Sequence, residues 1–223
     1  MGLLSVNCKT VNMYPASSVI MNDLLYLPSI AYFVSLKEAE TLLINPEDDY
    51  IRQSDRNRTK ILLTNKVETL SIPVLEGRKR KAIKEVKIDY QQKWLMVHLR
   101  GLQSAYGKSP FFEYFFSDLE LVYLKKKKYL FDLNWELLTL CLKFLRWNVK
   151  MVTYDGGDGK KEFLDRRGLI SSKGSYSGNL LYQPYPYTQI FGADFVPNLS
   201  IVDLLFCEGP MANAVIDHSQ KMK

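Results

Sequence analysis

The chain has 223 residues, of which 47% are hydrophobic, and a formal net charge of +6 at neutral pH. This length and apolar content suit one core, and they predict a single domain over residues 18–223 after an irregular lead-in over 1–17. No apolar run approaches the roughly 18 residues that a membrane helix needs, and no basic leader with a cleavage site opens the sequence. We therefore expect a cytoplasmic protein with no membrane insertion.

The cysteines and the charged clusters narrow the function classes further. Cys8, Cys141 and Cys207 lack the close spacing of a zinc site or a redox dithiol, and apolar surroundings make a thiol a poor nucleophile. We therefore expect no metal site, and no pattern identifies a cofactor. The basic clusters at 78–81 and 125–128 favour partners that carry negative charge, although a solvated hairpin tip and a solvated helix end explain them without any partner.

In chain order, the first predicted elements form a βαβ unit. It comprises a strand over 19–26, a helix over 29–39 that Ser29 can cap, and a strand over 41–44. Apolar and β-branched stretches then predict strands over 60–64, 67–74 and 83–88. The first two flank Asn65 and Lys66, and the last two flank the basic loop at 76–81. We therefore expect two antiparallel hairpins.

The second half of the chain is predicted to be mainly helical, with helices over 92–106, 110–124, 131–147, 201–206 and 210–216. Pro110 suits the first position of its helix, and Asn198 or Ser200 can cap the helix at 201. Residues 154–187 are rich in Gly, Ser and Tyr; we expect little regular structure there, and their role is open. The sequence thus predicts an α/β fold in which a mixed sheet, built from the βαβ unit and the hairpins, packs with a central three-helix region and C-terminal helices.

Common catalytic signatures are absent, since the sequence has no phosphate loop, no dinucleotide-binding glycine motif, no zinc-protease motif and no nucleophile elbow. His98 is one of two histidines, and helical spacing places it on the same apolar arc as Trp94 and Tyr106. Such an inward imidazole is either a neutral core residue held by an acceptor or a base in a site. The sequence leaves both interpretations open.

Two further segments carry polar groups suited to binding or catalysis. Residues 50–58 hold three arginines, and the fork of donors on arginine grips phosphate or carboxylate in a bidentate manner. Solvated arginines at a strand end are equally common. Near the C-terminus, Asp203 and Glu208 need a raised pKa or a nearby substrate to act as acid or base.

Six stretches carry a likeness to a known family. They are YLPSIAYF at 26–33, residues 50–58, Trp94 with His98, SAY at 104–106 with SPFF at 109–112, FDLN at 131–134, and residues 191–210. In this order they resemble the WbqC-like family of bacterial proteins, and the likeness covers residues 19–216. The opening motif of that family often begins with Gln-Pro, whereas Asp23, Leu24 and Leu25 stand here.

The resemblance implies a function in the synthesis of O-antigen and other surface polysaccharides, because the family is associated with gene clusters for them and a glycine transferase acting on an amino sugar has been suggested for it. The leading hypothesis is transfer of an acyl or aminoacyl group to the amino group of a nucleotide-linked sugar, which needs a base and oxyanion donors. His98 is the expected base and Asp203 the second catalytic candidate. The expected substrate-binding residues are Tyr32, Tyr50, Gln53, Arg56, Asn57, Arg58, Trp94, Tyr106, Gln189, Asn198 and Glu208.

Two other functions stay open. One is a non-catalytic module that binds a sugar nucleotide or a partner protein, and the other is contact with a charged tRNA that serves as aminoacyl donor. The sequence identifies neither donor, acceptor nor oligomeric state. Each site hypothesis depends on one spatial expectation: the arginines before the third strand and His98 line a common hollow roofed by the C-terminal segment.

Overall fold

The computed structural model describes residues 18–77, 79–156, 162–171, 181–192 and 194–221, and these ranges hold six strands and six α-helices. The strands are β1 (Val19–Met21), β2 (Thr41–Ile44), β3 (Arg58–Leu63), β4 (Lys66–Ser71), β5 (Lys150–Thr153) and β6 (Leu164–Asp165). The helices are α1 (Ile30–Leu36), α2 (Trp94–Tyr106), α3 (Phe112–Leu124), α4 (Leu130–Phe144), α5 (Ile201–Glu208) and α6 (Ala212–His218). The predicted lead-in over 1–17 lies outside the described residues.

A parallel sheet of four strands forms one part of the fold, in the order β5-β2-β1-β6. Ile20 of β1 lies between Leu42 of β2 and Leu164 of β6, so β1 is a central strand. This arrangement confirms the predicted βαβ unit, because β1 and β2 are parallel and α1 connects them. The first strand ends at Met21 rather than at 26. The backbone N–H of Asn22 still donates to the carbonyl of Leu43, but that of Asp23 donates to the side chain of Asn22.

An antiparallel hairpin of β3 and β4 forms the second sheet, with Arg58 opposite Ser71. The first predicted hairpin is therefore confirmed. The second is wrong: Ile83–Glu85 form a 3₁₀ turn, and among the described residues the following segment meets the preceding strand region only at the bridge between Val74 and Ile88. The chain after the basic loop pairs instead with residues 48–50, because Ile83 donates to the carbonyl of Asp48.

The predicted three-helix region is confirmed as α2, α3 and α4, but the predicted helix starts need correction. Pro110 precedes α3 rather than opening it. Ser29 makes no capping bond; the amide oxygen of Asn198 instead accepts from the backbone N–H of Ala31, 2.8 Å away. Ser200 does not cap α5 either, since its hydroxyl donates to the carbonyl of Leu27 at 2.9 Å.

Residues 28–31 and 198–201 form a clasp between the start of α1 and the start of α5. Ile30 donates to Leu199, Ile201 donates to the carbonyl of Pro28 at 2.8 Å, and residues 29 and 200 form an antiparallel bridge. The clasp holds two helices together that are distant in the sequence. It also fixes the loop that leads out of β1.

The strands β5 and β6 were not predicted, and β6 lies inside the segment where little regular structure was expected. Burial raises the pKa of Cys141 and of Cys207 to about 12, which makes both thiols poor nucleophiles. Within the ranges given above, the longest helices are too short or too polar to traverse a lipid bilayer.

Candidate functional site

A hollow of about 510 Å³ lies where the chain enters β3 and leaves β4, and we refer to it as the arginine pocket. Its lining residues are Tyr50, Arg52, Gln53, Asn57, Arg58, Ser71, Ile72, Pro73, Val74, Glu76, Gly77 and Lys79. The antiparallel register places the start of β3 beside the end of β4, so both contribute to one rim. Four residues expected from the sequence, Tyr50, Gln53, Asn57 and Arg58, come together here.

The arginine pocket carries an excess of positive charge. Glu76 pairs with Lys81 and with Lys79, and these bonds lower the pKa of its carboxyl to about 2. Arg58 makes one long bond, 3.4 Å from its Nε to the hydroxyl of Ser71. Within the described part of the chain, neither Arg52 nor Arg58 has an ion-pair partner. Two guanidinium groups are therefore available to an anion.

Two buried polar atoms at the arginine pocket also lack partners among the described residues: the hydroxyl oxygen of Tyr50 and the amide oxygen of Asn57. The amide nitrogen of Asn57 is used, since it donates to the carbonyl of Ile72 at 2.8 Å. Burial raises the pKa of Tyr50, and Arg58 and Arg52 oppose this, so its hydroxyl is neutral. A buried polar group without a partner costs about 1–3 kcal/mol, and a bound ligand is one source of the missing bond.

Gly77 allows the rim of the arginine pocket to close tightly. A Cβ atom at this position would lie 2.9 Å from Cγ2 of Val74, which is closer than ordinary contact. A larger residue would therefore displace the backbone that carries Glu76 and Lys79. The rim geometry thus depends on glycine at position 77.

His98 lies in a different environment, with 2% of its surface exposed. Its ring bonds to the backbone of Ser71, and a hydrogen bond of 2.8 Å joins its Nδ1 to the hydroxyl of Tyr26. That hydroxyl also bonds to the hydroxyl of Tyr123. Burial lowers the pKa of His98 to about 4, with the Ser71 bond acting in the opposite direction. Because the imidazole is buried and bonds to Tyr26 and to the backbone of Ser71, this geometry favours a core histidine, and a role as base stays a prediction.

A second hollow of about 540 Å³ lies between the β3–β4 hairpin and α2, and we refer to it as the hairpin hollow. Its lining residues are Ile61, Leu63, Glu68, Thr69, Leu70, Ser71, Pro73, Gln92, Lys93, Trp94, Val97, His98 and Gly101. It shares Ser71 and Pro73 with the arginine pocket. Arg58 and His98 therefore line adjacent hollows instead of the expected single one, and the described C-terminal residues line neither.

Arg56 belongs to an ion network at the carboxyl ends of the parallel strands, which we refer to as the strand-end cluster (Asp23, Asp48, Arg56 and Arg167). Arg56 is buried, with its Nη2 2.6 Å from Asp23 and 3.9 Å from Asp48. Arg167 lies 3.0 Å from the other oxygen of Asp48. The hydroxyl of Tyr32 donates to the carbonyl of Asp23 at 2.7 Å. Neither Arg56 nor Tyr32 lines the arginine pocket.

Asp203 forms a third group of expected residues, fully buried beneath the C-terminal segment. It accepts from the hydroxyl of Tyr106 at 2.7 Å, from the hydroxyl of Tyr187, and from the amide of Gln189 at 3.4 Å. Burial raises the pKa of Asp203, while the hydroxyl donors, Tyr187 first, oppose this. These contacts tie residues 187–189 to α5. They place Tyr106, Gln189 and Asp203 away from both hollows.

The last two expected residues bond to the backbone of other segments of the fold. Asn198 caps α1, and the carboxylate of Glu208 accepts from the backbone N–H of Thr188 at 3.0 Å. Conversely, Arg52 and Lys79 line the arginine pocket but were not among the expected site residues. The sequence offered a signal for both residues. Arg52 lies in the three-arginine segment at 50–58, and Lys79 lies in the basic loop at 76–81. Across the described ranges, His, Cys, Asp and Glu form no group of three or more that could hold a metal ion.

Comparison with known proteins places the chain in a family. The chain is 25% identical over 214 residues to the uncharacterized protein Rv1507c of Mycobacterium tuberculosis (strain ATCC 25618 / H37Rv), which covers 84% of this chain and 92% of the relative. No solved structure matches the chain. The profile of the WbqC-like protein family matches residues 25–167 and 153–215. Since these matches span most of the sequence, the chain belongs to the WbqC-like protein family.

Proposed function

We propose that this protein binds the diphosphate of a nucleotide-linked sugar in the arginine pocket, as a binding component of surface-polysaccharide synthesis. The observation that carries the proposal is that one pocket brings together two kinds of free group. Arg52 and Arg58 have no ion-pair partner among the described residues, and Tyr50 and Asn57 each have a buried polar atom without a hydrogen-bond partner there. Arginine forks suit phosphate oxygens. The link to polysaccharides comes from the family resemblance.

The uncharged groups of the arginine pocket suit a sugar. Tyr50 supplies a neutral hydroxyl donor, Asn57 an amide acceptor, and Gln53 both a donor and an acceptor. Sugar hydroxyls both donate and accept hydrogen bonds, so they can satisfy these groups together. A fully deprotonated anion such as sulfate has no O–H or N–H group to donate to the acceptor of Asn57.

Binding without chemistry is favoured over acyl or aminoacyl transfer because the pocket offers no suitable base among its described residues. The carboxylate of Glu76 pairs with two lysines and has a pKa of about 2. His98 lines the neighbouring hollow instead, and its ring bonds to Tyr26 and to the backbone of Ser71. Transfer to an amino sugar stays a prediction from the family resemblance.

Contact with tRNA also stays a prediction, and the structure lends it little support. Lys125 and Lys127 of the second basic cluster both pair with Glu136. Their charge is thus partly neutralised within the fold. An extended basic surface for the phosphate backbone would need such lysines to be free.

Isothermal titration calorimetry with UDP-N-acetylglucosamine tests the proposed function. Replacing Arg52 or Arg58 with Gln removes charged hydrogen bonds worth about 1.5–3 kcal/mol, so each variant should bind about tenfold or more weakly. Arg100→Gln is the matched control, because Arg100 is exposed on α2 and lines neither hollow. Equal affinity in all four proteins, or no binding by the wild type, would overturn the proposal. Product formation with a glycyl or acyl donor would favour the transferase instead.

A further inference from the structure

We infer that the hairpin hollow is a second subsite, which accepts the nucleobase of the ligand whose diphosphate lies in the arginine pocket. This inference rests on the proposed function and extends it from the phosphates to the base. It assigns a role to an open hollow that the phosphates and the sugar leave unfilled. Three features of the hairpin hollow carry it.

The first feature is continuity between the two hollows. Ser71 and Pro73, at the end of β4, line both of them. The hydroxyl of Ser71 contacts Arg58 on one side, and its backbone bonds to His98 on the other. A ligand that fills both hollows therefore passes Ser71 and Pro73, and in a nucleoside diphosphate the ribose is the group that connects the base to the phosphates.

The second feature is the distribution of polarity around the hairpin hollow. Apolar side chains of Ile61, Leu70 and Val97 form its walls, and Val97 is 60% exposed although it is apolar. Thr69 and Gln92 are exposed and add polar groups. A flat heteroaromatic ring has apolar faces and a polar edge, and this combination matches the lining. A hydrocarbon chain would make no use of the polar groups.

The third feature is an unpartnered donor. Trp94 lines the hairpin hollow with 5% of its surface exposed, and its indole N–H has no hydrogen-bond partner among the described residues. Buried tryptophan N–H groups usually find an acceptor. A carbonyl oxygen or ring nitrogen of a nucleobase can accept this hydrogen bond from the indole N–H of Trp94.

The lining also shows how the subsite can be blocked without disturbing the core. Val97 projects from an exposed position on α2, so Val97→Trp fills the hollow while leaving the buried residues in place. Met96 is 48% exposed and is not a lining residue, so Met96→Trp is the matched control. Gly101→Val provides a second block, since a Cβ at Gly101 meets only Leu70, at an ordinary contact distance of 3.7 Å.

Calorimetry with three probes tests the subsite: inorganic pyrophosphate, uridine diphosphate and adenosine diphosphate. For the wild type and Met96→Trp, at least one nucleoside diphosphate should bind about tenfold more tightly than pyrophosphate. Val97→Trp and Gly101→Val should lose this advantage and keep the affinity for pyrophosphate.

The outcomes separate the subsite from the proposed function. Nucleoside diphosphates that bind no more tightly than pyrophosphate would overturn the subsite and leave the arginine pocket intact. The subsite is also overturned if Val97→Trp and Met96→Trp weaken the binding of uridine diphosphate equally. If neither pyrophosphate nor a nucleoside diphosphate binds, the proposed function fails, and the subsite fails with it.

Discussion

The arginine pocket and the strand-end cluster both use arginines of the segment 50–58, but in opposite ways. Arg56 is buried against Asp23 at 2.6 Å, whereas Arg58, two residues later, has no ion-pair partner among the described residues and lines an open hollow. The segment turns before β3 begins, with Asn57 donating to the carbonyl of Ser54, so strand alternation does not govern where Arg56 points. Residue type alone therefore does not identify an arginine that binds a ligand.

The contrast between these two regions suggests a general rule for this protein. A polar side chain whose partners all lie within the fold should act mainly on stability, and one without such partners should act mainly on binding. His98 and Asn198 belong to the first group, and Arg58 belongs to the second. Arg56 is placed in the first group by its ion pairs with Asp23 and Asp48, although its Nη1 is buried without a partner among the described residues. Substitutions in both groups test this distinction.

The largest effect is expected for Arg56→Gln. Removing the guanidinium leaves Asp23 buried without its counter-ion, while Asp48 keeps Arg167, and breaking a buried ion pair in this way costs about 3–5 kcal/mol. Urea denaturation followed by circular dichroism measures the free energy of unfolding. A loss below about 1 kcal/mol would show that the strand-end cluster does not stabilise the fold.

The next effect is a pH dependence due to His98. Burial lowers its pKa from 6.5 to about 4, so between these values the unfolded chain binds a proton that the folded chain does not. Stability should therefore fall as the pH is lowered through this window, by about 3 kcal/mol in total. Denaturation at several pH values should show the fall in the wild type and a shallower one in His98→Gln. Identical slopes would contradict a buried, neutral imidazole.

A smaller loss is expected for Asn198→Ala. This change removes the side-chain cap of α1, and loss of such a cap costs about 1 kcal/mol. Affinity for UDP-N-acetylglucosamine should not change, because Asn198 does not line the arginine pocket. A selective loss of binding with unchanged stability would restore Asn198 as a ligand-binding residue.

The smallest effect on stability is expected for Arg58→Gln. Arg58 makes a single long bond within the fold, so the free energy of unfolding should change by no more than about 0.5 kcal/mol. The same variant should bind the nucleotide-linked sugar more weakly, by about tenfold or more. Beside Arg56→Gln it forms a matched pair, since the chemical change is identical and the positions are two residues apart. Similar stability losses in both variants would remove the distinction between the two regions.

The parts of the fold that could be predicted are those with a local signal. Helical periodicity indicated α2, α3 and α4, and the apolar and β-branched stretches on either side of Asn65 and Lys66 indicated the β3–β4 hairpin. In contrast, β6 has two residues, too few to show any period, and it pairs with β1 from far along the chain. The loop at 76–81 suggested a hairpin because the sequence does not show that residues 48–50 compete for the following segment.

The candidate site was predictable to a similar degree. The segment 50–58 stood out by its arginines, and four of the residues expected from it line the pocket. Whether Arg56 or Arg58 faced a ligand could not be predicted, because the answer depends on Asp23, 33 residues earlier. The inward position of His98 was foreseeable from helical spacing, but its partner Tyr26 lies 72 residues away.

The clasp between residues 28–31 and 198–201 has a consequence for how the protein is made. The cap of α1 is supplied by a residue 167 positions later, so the first helix cannot be completed until the ribosome has synthesised most of the chain. Contacts of such long range slow folding. The amino-terminal half of the nascent chain therefore stays incompletely folded. We expect it to become more resistant to proteolysis only when α5 leaves the exit tunnel.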